Sequence, residues 1–360
     1  MADRTKMVSA RVVPRFAGPC TFLRFPTLAE VVAPGRAIRG DEGRGREAGP
    51  IDWVIYGVPH DAGVTYRPGA RFGPRAVRAE SQYIKRYSME HGVDVCQVLS
   101  LADGGDAPVR PYELKGTLDS VVAFARRLGD RRHTRLLAVG GDHSVAYANI
   151  RATWERRGKP RRGLALLHFD SHLDTVDSVW GERWGHASVF VRAVQDGLID
   201  PRAMLSVGIK GPLNAAADLE FAHRAGVTVL GFEQWRRSHR EGAEEVRGFV
   251  ERLAGRETYL TFDVDVVDPA FAPGTGTPSI GGFTSAEALG ILRSLRGANL
   301  VGADVVEVLP DRDPSGITAL LAAQVVFEIL ALDAVRREGL ATAPRVTTGS
   351  VRARGARHRA

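Results

Sequence analysis

The sequence predicts an α/β protein: a single three-layer α-β-α domain with a mainly parallel sheet. From residue 52 onward, apolar runs of strand length alternate with amphipathic segments of helix length. Near-continuous apolar strands of this kind are typical of a parallel sheet covered by helices on both faces. No internal repeat or flexible linker interrupts the pattern, so one domain is the simplest interpretation.

Seven apolar runs bounded by Gly, Asp or Pro are the candidate strands. They span residues 53–58, 135–141, 164–170, 204–210, 227–232, 258–265 and 300–308. The segments 118–128 and 286–295 predict amphipathic helices, and segment 317–339 predicts a long, largely buried one. A parallel sheet binds its ligands beyond the carboxyl ends of its strands, so the residues that follow these runs are candidates for a functional site.

The two ends of the chain lack this pattern. We predict an irregular N-terminal arm over residues 1–50, a catalytic domain over 51–340 and a disordered basic tail over 341–360. The charged residues from Pro344 onward are five arginines, and subtracting them from the net charge of +7 leaves +2 for the rest. A short Arg-rich end explains most of the charge, so we expect no nucleic-acid partner.

The composition favours a soluble, cytoplasmic protein. The two cysteines, Cys20 and Cys96, have no metal-like spacing and suit a reducing compartment. The first residues contain no unbroken apolar stretch and so show no secretory signal. We expect no membrane partner either, because no segment reaches the roughly 20 apolar residues that cross a bilayer.

Three of the candidate strands end in acids and histidines. The residues concerned are Asp142, His143, Asp170, His172, Asp174, Asp263 and Asp265. Alternate residues of a strand share a face, so Asp170, His172 and Asp174 point together if the extended geometry persists, as do Asp263 and Asp265. Buried carboxylates without a cation are costly. One such motif alone is usually a cap or a turn, but three together indicate a metal site.

The ligand types narrow the choice of metal. Neutral imidazole combined with carboxylate suits borderline to hard divalent ions such as Mn²⁺. The absence of thiolates among these residues argues against a structural zinc site.

Three motifs in this region resemble the metal-binding signatures of the ureohydrolase family, the arginases and agmatinases. They are GGDHS (140–144), FDSHLD (169–174) and FDVDVVDPAFAPGTGTP (262–278). The segment 63–78 resembles the family's early active-site loop, and 304–313 resembles its last motif. The agmatinase-like branch, which includes guanidino-acid hydrolases, matches better than the arginases. The resemblance implies an arginase/deacetylase-like fold and a homo-oligomer, either a trimer or a hexamer.

The resemblance implies two Mn²⁺ per subunit, and Ni²⁺ or Co²⁺ could occupy the same ligands. One ion would be held by His143, Asp170, Asp174 and Asp263. The other would be held by Asp170, His172, Asp263 and Asp265. Asp170 and Asp263 would then bridge the ions, and a hydroxide between them, oriented by Asp174, would attack the guanidinium carbon.

Two further residues match functional positions of the family. His186 matches the mobile-loop histidine, which implies a proton shuttle, and Glu307 matches the guanidinium-binding glutamate. The alternatives are a surface loop histidine and a satisfied strand-end acid. The early-loop arginines Arg67, Arg71 and Arg75 are interpreted as loop anchors rather than as ligands of a substrate carboxylate.

The sequence also departs from the family pattern. Residues 187–189 are Ala-Ser-Val where the family usually has Gly-Thr-Pro, which puts the shape of the substrate pocket in question. Thr175 replaces an Asn that helps arginases recognise the amino-acid end of arginine. Asp177 and Glu182, near His186, favour a cationic substrate.

The predicted activity is therefore hydrolysis of a small guanidino compound, and agmatine, which would yield putrescine and urea, is the first candidate. A guanidino acid such as 4-guanidinobutanoate, another guanidino metabolite or guanidine itself is the alternative. A non-catalytic metal-binding protein is disfavoured by the complete ligand set together with His186 and Glu307. A deacylase on the related fold is disfavoured too, because those enzymes use one zinc and fewer acidic ligands.

Overall fold

The computed structural model describes residues 7–32, 50–237 and 239–339, and its centre is an eight-stranded sheet. The strands of the chain are β1 (Trp53–Gly57), β2 (Tyr87–Ser88), β3 (Val93–Asp94), β4 (Leu101–Asp106), β5 (Arg135–Val139), β6 (Leu164–Phe169), β7 (Ile199–Val207), β8 (Thr228–Leu230), β9 (Glu257–Asp263) and β10 (Asn299–Val306). The large sheet has the order β4-β1-β5-β10-β9-β6-β7-β8, and its strand pairs are parallel. The strands β2 and β3 form a separate antiparallel pair.

Helices cover both faces of this sheet. They are α1 (Leu28–Val32), α2 (Gly73–Ser81), α3 (Val95–Val98), α4 (Leu114–Ala125), α5 (Val145–Arg156), α6 (Val189–Gln195), α7 (Glu220–Ala225), α8 (Phe232–Arg237), α9 (His239–Arg252), α10 (Ser285–Arg293) and α11 (Ile317–Glu338). Alternate residues of β1 enter two separate cores, Trp53 and Ile55 on one side, Val54 and Tyr56 on the other. This confirms the predicted three-layer α/β fold with a parallel sheet.

The seven predicted strands are all present, but the sequence missed the short pair β2 and β3 and, in the large sheet, β4. Its residues, LADGGD, include two glycines and two acids, so they show neither an apolar run nor a regular alternation. The strand lies at the edge of the sheet beside β1, where a weakly apolar segment is tolerated. The run predicted at 258–265 ends earlier than expected, because Val264–Val266 forms a 3-10 turn.

The described part of the N-terminal arm packs against the domain. Phe22 and Leu23 are buried in the core on one face of the sheet. The Phe22 N–H donates to Asp103 Oδ2 at 2.8 Å, and the Leu23 N–H donates to Ser81 Oγ at 2.9 Å. Residues 7–32 are mostly irregular, as expected, but they contain α1 and a 3-10 turn at Phe22–Arg24. The predicted tail over 341–360 lies outside the described residues.

The long helix α11 corrects one expectation from the sequence. Its length and mean hydropathy of 1.8 would allow it to cross a membrane, although we expected no such segment. In the structure, 83% of its most apolar window is buried inside the fold. It packs in the core beside α2 and α10, as the sequence-based prediction of a buried C-terminal helix requires.

A carboxylate in the middle of α11 ties this helix to its neighbours. Glu328 Oε1 accepts a hydrogen bond from Arg293 Nη2 at 2.7 Å, and Oε2 lies 3.0 Å from His91 Nε2. Burial alone would raise the pKa of Glu328, but the hydrogen bonds and charges of His91 and Arg293 lower it below its ordinary value. A carboxylate whose pKa is depressed by folding stabilises the protein above its unfolded-state pKa, and this contribution is lost as the pH falls through the folded-state pKa.

Glu328→Gln should therefore lower the free energy of unfolding at neutral pH by about 2 kcal/mol, because Arg293 and His91 lose a buried, ionised partner. The difference from the wild type should shrink as the pH falls below the ordinary glutamate pKa and then through the lower pKa of the folded wild type, where the carboxyl becomes protonated. Urea unfolding at several pH values measures this, with Glu338→Gln, at an exposed position of the same helix, as the control. An equal difference at every pH would contradict the assigned role.

Candidate metal centre and active site

The predicted ligands lie at the carboxyl edge of the central strands. Asp170 directly follows β6, Asp263 is the last residue of β9, and Glu307 directly follows β10. His143 comes from the loop between β5 and α5. Since these four strands are consecutive neighbours in the order β5-β10-β9-β6, their ends converge on one site.

Tight turns, rather than extended strands, aim the acidic side chains. The His172 N–H donates to Asp170 Oδ1 at 2.6 Å, and the Asp265 N–H donates to Asp263 Oδ1 at 2.8 Å. Asp174 has a φ of +53°, which no extended strand adopts. The extended geometry on which the alignment by strand alternation was conditional does not persist, because β6 ends before Asp170 and the side chains of Asp170 and Asp263 accept the N–H two residues further on.

The first cluster of candidate ligands surrounds the buried ring of His143. Its Nδ1 lies 3.0 Å from Asp170 Oδ2, 2.9 Å from Asp174 Oδ2 and 3.4 Å from Asp263 Oδ2. Although this nitrogen is buried, it makes no hydrogen bond with any described residue. The structure thus brings four predicted ligands together around one atom.

The other side of the His143 ring determines what its Nδ1 can do. His143 Nε2 lies 2.9 Å from Thr261 Oγ1, whose hydroxyl donates to Asp304 Oδ1. With the hydroxyl hydrogen committed to Asp304, Thr261 accepts the Nε2 proton, which leaves Nδ1 as a lone pair in the neutral ring. Burial alone would lower the pKa of His143, but Asp170 and Asp174 raise it well above its ordinary value when no metal ion is bound. The three carboxylate oxygens around this nitrogen thus favour a positive charge at this point, and the nitrogen and oxygen donors together fit a divalent cation.

The second cluster shares Asp170 with the first. His172 Nδ1 lies 3.4 Å from Asp170 Oδ1 and 3.1 Å from Asp265 Oδ2. The ligand atoms of Asp170, His172 and Asp265 all lie within 4.8 Å of one another. Asp170 therefore directs one oxygen toward each cluster, which is the arrangement that a bridging ligand requires.

Sequence reasoning missed His168, which lies in β6 against the first cluster. Its Nε2 is 3.0 Å from Asp170 Oδ2, and its Nδ1 is 3.0 Å from Ser206 Oγ. The atoms of His168, His143 and Asp170 also lie close enough to hold an ion together. The signal was available, since His168 is two residues before Asp170 and shares its face of the strand.

The acids of this centre strongly shift one another's pKa values. Burial, followed by the charges of Asp265 and Asp170, raises the pKa of Asp263 well above its ordinary value. Burial also raises the pKa of Asp265. Burial opposes ionisation of Asp170 as well, but the close contacts with the imidazole rings of His143, His168 and His172 lower its pKa well below the usual range. Such an array needs added positive charge for all its carboxylates to be ionised.

Glu307 lies beside this centre with one of its oxygens unused. Oε1 accepts a hydrogen bond from the His143 N–H at 2.9 Å and lies 3.0 Å from His186 Nδ1. Oε2 is buried and makes no hydrogen bond with any described residue. The residue has a φ of +64°, a strained conformation for a non-glycine residue that is common at functional sites. Glu307 is thus not a fully satisfied strand-end acid.

His186 is buried, so it is not a surface loop histidine. Its N–H donates to the carbonyl of Gly63 at 3.0 Å, and Nε2 lies 2.7 Å from Thr65 Oγ1 and 3.0 Å from the Thr65 nitrogen. Burial alone would lower the pKa of His186, but Glu307 and then Asp174 and Asp142 raise it to about 9. The Thr65 N–H favours an unprotonated Nε2, whereas the acids favour the charged ring. These opposing demands suit a group that gains and releases a proton.

Two acids hold the early loop in place, and sequence reasoning assigned a function to neither. Asp142 Oδ2 accepts a hydrogen bond from the Gly63 N–H at 2.7 Å, and burial together with the Glu307 charge raises the pKa of Asp142 to about 6. Asp61 forms an ion pair with Arg71 and accepts a hydrogen bond from the Gly69 N–H at 2.7 Å. Arg71 is therefore a loop anchor, as interpreted from the sequence.

Comparisons with known proteins identify the family of the chain. The Arginase family model matches residues 51–332. The chain is 39% identical over 332 residues to the guanidinopropionase of Pseudomonas aeruginosa, which covers 92% of this chain and 96% of that protein. It is 39% identical over 292 residues to the agmatinase of Neisseria meningitidis serogroup C, covering 80% of this chain and 89% of that protein.

A solved structure shares the fold over nearly the whole chain. The proclavaminate amidinohydrolase of Streptomyces clavuligerus is 35% identical, with a TM-score of 0.77, and the match covers 90% of this chain and 99% of that one. The resemblance of the three acidic motifs to the ureohydrolases is thereby confirmed. The chain belongs to the Arginase family.

Proposed function

We propose that this protein is a binuclear-metal amidinohydrolase that cleaves agmatine to putrescine and urea. The observation that carries the proposal is the buried Nδ1 of His143, which faces three carboxylate oxygens and makes no hydrogen bond among the residues that the structure describes. The relatives support the reaction class, since they include an agmatinase, a guanidinopropionase and an amidinohydrolase. The protein is accordingly a hydrolase of C–N bonds.

The proposed metal ligands are those expected from the sequence. His143 and Asp174 would hold one ion and His172 and Asp265 the other, with Asp170 and Asp263 shared. We propose Mn²⁺ for both positions, with Ni²⁺ and Co²⁺ as alternatives for the same nitrogen and oxygen donors. Such a pair of ions, when bound, lowers the pKa of water and supplies a nucleophile at neutral pH.

Glu307 would bind and orient the guanidinium group of the substrate. A guanidinium presents N–H donors in one plane, and two of them can pair with a carboxylate. Because Oε2 is buried and no residue in the described ranges donates a hydrogen bond to it, a substrate N–H would satisfy it. Oε1 is held by the His143 N–H, so the carboxylate is fixed relative to the metal ligands before the substrate arrives.

His186 would supply the proton that the departing amine needs. Its Nδ1 is 3.0 Å from the Glu307 oxygen, so a proton on the ring lies beside the proposed guanidinium position. The C–N bond breaks readily only when the amine nitrogen is protonated, because an amide anion is a poor leaving group. The contacts with Thr65 and Gly63 keep the ring in this place.

The contacts of Asp177 and Glu182 bear on the charge of the substrate tail. Asp177 was expected to favour a cationic tail, but it forms an ion pair with Arg192 and its charge is largely compensated. Glu182 accepts hydrogen bonds from the N–H groups of Arg183 and Trp184. These contacts, and the relative named guanidinopropionase, support a guanidino acid as the second candidate.

Cellular context is proposed from the sequence and the family resemblance. We propose a cytoplasmic homo-oligomer, either a trimer or a hexamer, that binds neither nucleic acid nor a membrane. The net charge of only +2 outside the C-terminal arginines supports the absence of a nucleic-acid partner. The burial of α11 inside the fold supports the absence of a membrane partner.

Urea release by this protein should depend on bound metal. Metal-free protein loaded with Mn²⁺, Ni²⁺ or Co²⁺ should release urea from a guanidino compound, and removal of the metal should reduce the rate to background. Agmatine should give the highest kcat/KM in a panel with 3-guanidinopropanoate, 4-guanidinobutanoate and guanidine. A preference for one of the acids would replace agmatine by the second candidate. No urea from any compound, with metal bound, would reject the hydrolase assignment.

Binding of the substrate guanidinium should depend on the charge of Glu307. Glu307→Gln should lower kcat/KM by roughly 10- to 100-fold, because a charged hydrogen bond to the substrate is replaced by a neutral one. The glutamine Oε1 can still accept the His143 N–H, so the metal content should stay at the wild-type level. Steady-state kinetics and elemental analysis measure both quantities, with the exposed Glu251→Gln as the control. Unchanged kcat/KM in the Glu307 variant would exclude Glu307 from substrate binding.

A further inference from the structure

We propose that Ser171 is a positioning residue for the second metal ion, and that Lys210 fixes its hydroxyl. This inference rests on the proposed function. Ser171 lies between the candidate ligands Asp170 and His172 and is fully buried. Neither the family signatures nor the metal clusters assign it a role, yet its contacts reach the third ligand of that ion, Asp265.

Ser171 holds Asp265 at two points. The Ser171 N–H donates to Asp265 Oδ1 at 3.1 Å, and the Ser171 hydroxyl donates to the Asp265 carbonyl oxygen at 2.7 Å. The first contact orients the carboxylate and the second holds the backbone that carries it. Ser171, which follows β6, therefore fixes both the side chain and the main chain of Asp265, which follows β9.

Lys210, which follows β7, completes this connection. Its N–H donates to the Ser171 carbonyl oxygen at 3.0 Å, and its Nζ donates to the Asp265 carbonyl oxygen at 2.8 Å. Nζ also contacts Ser171 Oγ. An ammonium group only donates, so Ser171 Oγ must accept from Lys210 and direct its own hydrogen to Asp265. The lysine thereby sets the direction of the serine hydroxyl.

The side chain of Lys210 packs against the backbone of a neighbouring loop. A Cβ atom placed on Gly282 would come within 2.6 Å of Lys210 Cε, so the backbone of residue 282 packs directly against the lysine side chain. The ends of β6, β7 and β9 are thus joined through three residues: Ser171, Lys210 and Asp265. These strands are neighbours in the order β9-β6-β7, so the connection spans one continuous edge of the sheet.

This connection bears directly on the geometry of the second ion. His172 Nδ1 and Asp265 Oδ2 come from different loops and lie 3.1 Å apart. Ser171 is bonded to His172 along the chain and hydrogen-bonded to Asp265, so it sets the separation of these two ligands. Loss of an outer partner of a metal ligand typically costs 10- to 100-fold in metal affinity.

Ser171, rather than Lys210, is the residue to substitute. Removing Lys210 would also remove a positive charge near the ions, and the reduced repulsion would strengthen metal binding while the lost contacts weaken it. Ser171→Ala changes no charge and deletes only the hydroxyl. Ser81→Ala is a matched control, because Ser81 is also buried and its Oγ donates to Arg78 O at 2.8 Å and accepts from Leu23 N at 2.9 Å.

The experiment is calorimetric titration of metal-free protein with MnCl₂, together with electron paramagnetic resonance to detect a spin-coupled Mn²⁺ pair. Wild type and Ser81→Ala should bind two ions per chain and show the coupled signal. Ser171→Ala should bind the first ion as the wild type does and the second at least about 10-fold more weakly. The melting temperature of each metal-free variant reports general damage separately.

Each other outcome overturns a defined part of the account. Wild-type affinity for both ions in Ser171→Ala, or an equal loss at both positions, would overturn the positioning role alone. A wild type that binds fewer than two ions would overturn the proposed function and this inference with it. If Ser171→Ala does not fold, Ser171→Cys, which keeps the volume but donates a much weaker hydrogen bond, replaces it and is expected to show the same selective loss.

Discussion

The mutual repulsion of buried carboxylates at the carboxyl edge of the sheet is the constraint on which this structure depends. The buried Asp170 and Asp263 and the half-buried Asp174 each place an oxygen within 3.4 Å of one imidazole nitrogen that makes no hydrogen bond within the described part of the chain. Such an arrangement is costly unless cations compensate it. The hydrophobic cores on both faces of the sheet hold the strand ends in place against that repulsion. The cluster of acids that would bind the metal ions therefore lowers the stability of the metal-free protein, and bound metal would compensate the repulsion.

The residues behind the ligands determine which atoms remain available for chemistry. The hydroxyl of Thr261, which donates to Asp304, favours the proton of the neutral His143 ring on Nε2. Glu307 accepts a hydrogen bond from the backbone N–H of His143. His186 is held between Glu307 and the early loop. Glu307 thus contacts both the metal ligand His143 and the proposed proton donor His186. Binding of the substrate at Glu307 can therefore also orient the guanidinium group relative to the metal ions and to His186.

Much of this could be predicted from the sequence, because apolar strands followed by acids and histidines are local patterns. The parallel sheet, the family and the convergence of His143, Asp170 and Asp263 follow from those patterns. The edge strand β4 could not be predicted, since its glycines and acids mask it. The turns after Asp170 and Asp263 are local, since each Asp side chain accepts the N–H two residues further on, but hydrophobic periodicity does not reveal them. The contacts of Ser171 and Lys210 with Asp265 depend on packing between distant segments that no local pattern encodes.

The most direct test of the central claim is an anomalous difference map from crystals of the Mn²⁺-loaded protein. Two separate peaks are predicted, one against His143 and Asp174 and the other against His172 and Asp265, both within bonding distance of Asp170. A single peak, no peak, or two peaks that do not share Asp170 would contradict the proposal that these carboxylates are assembled to hold a pair of metal ions.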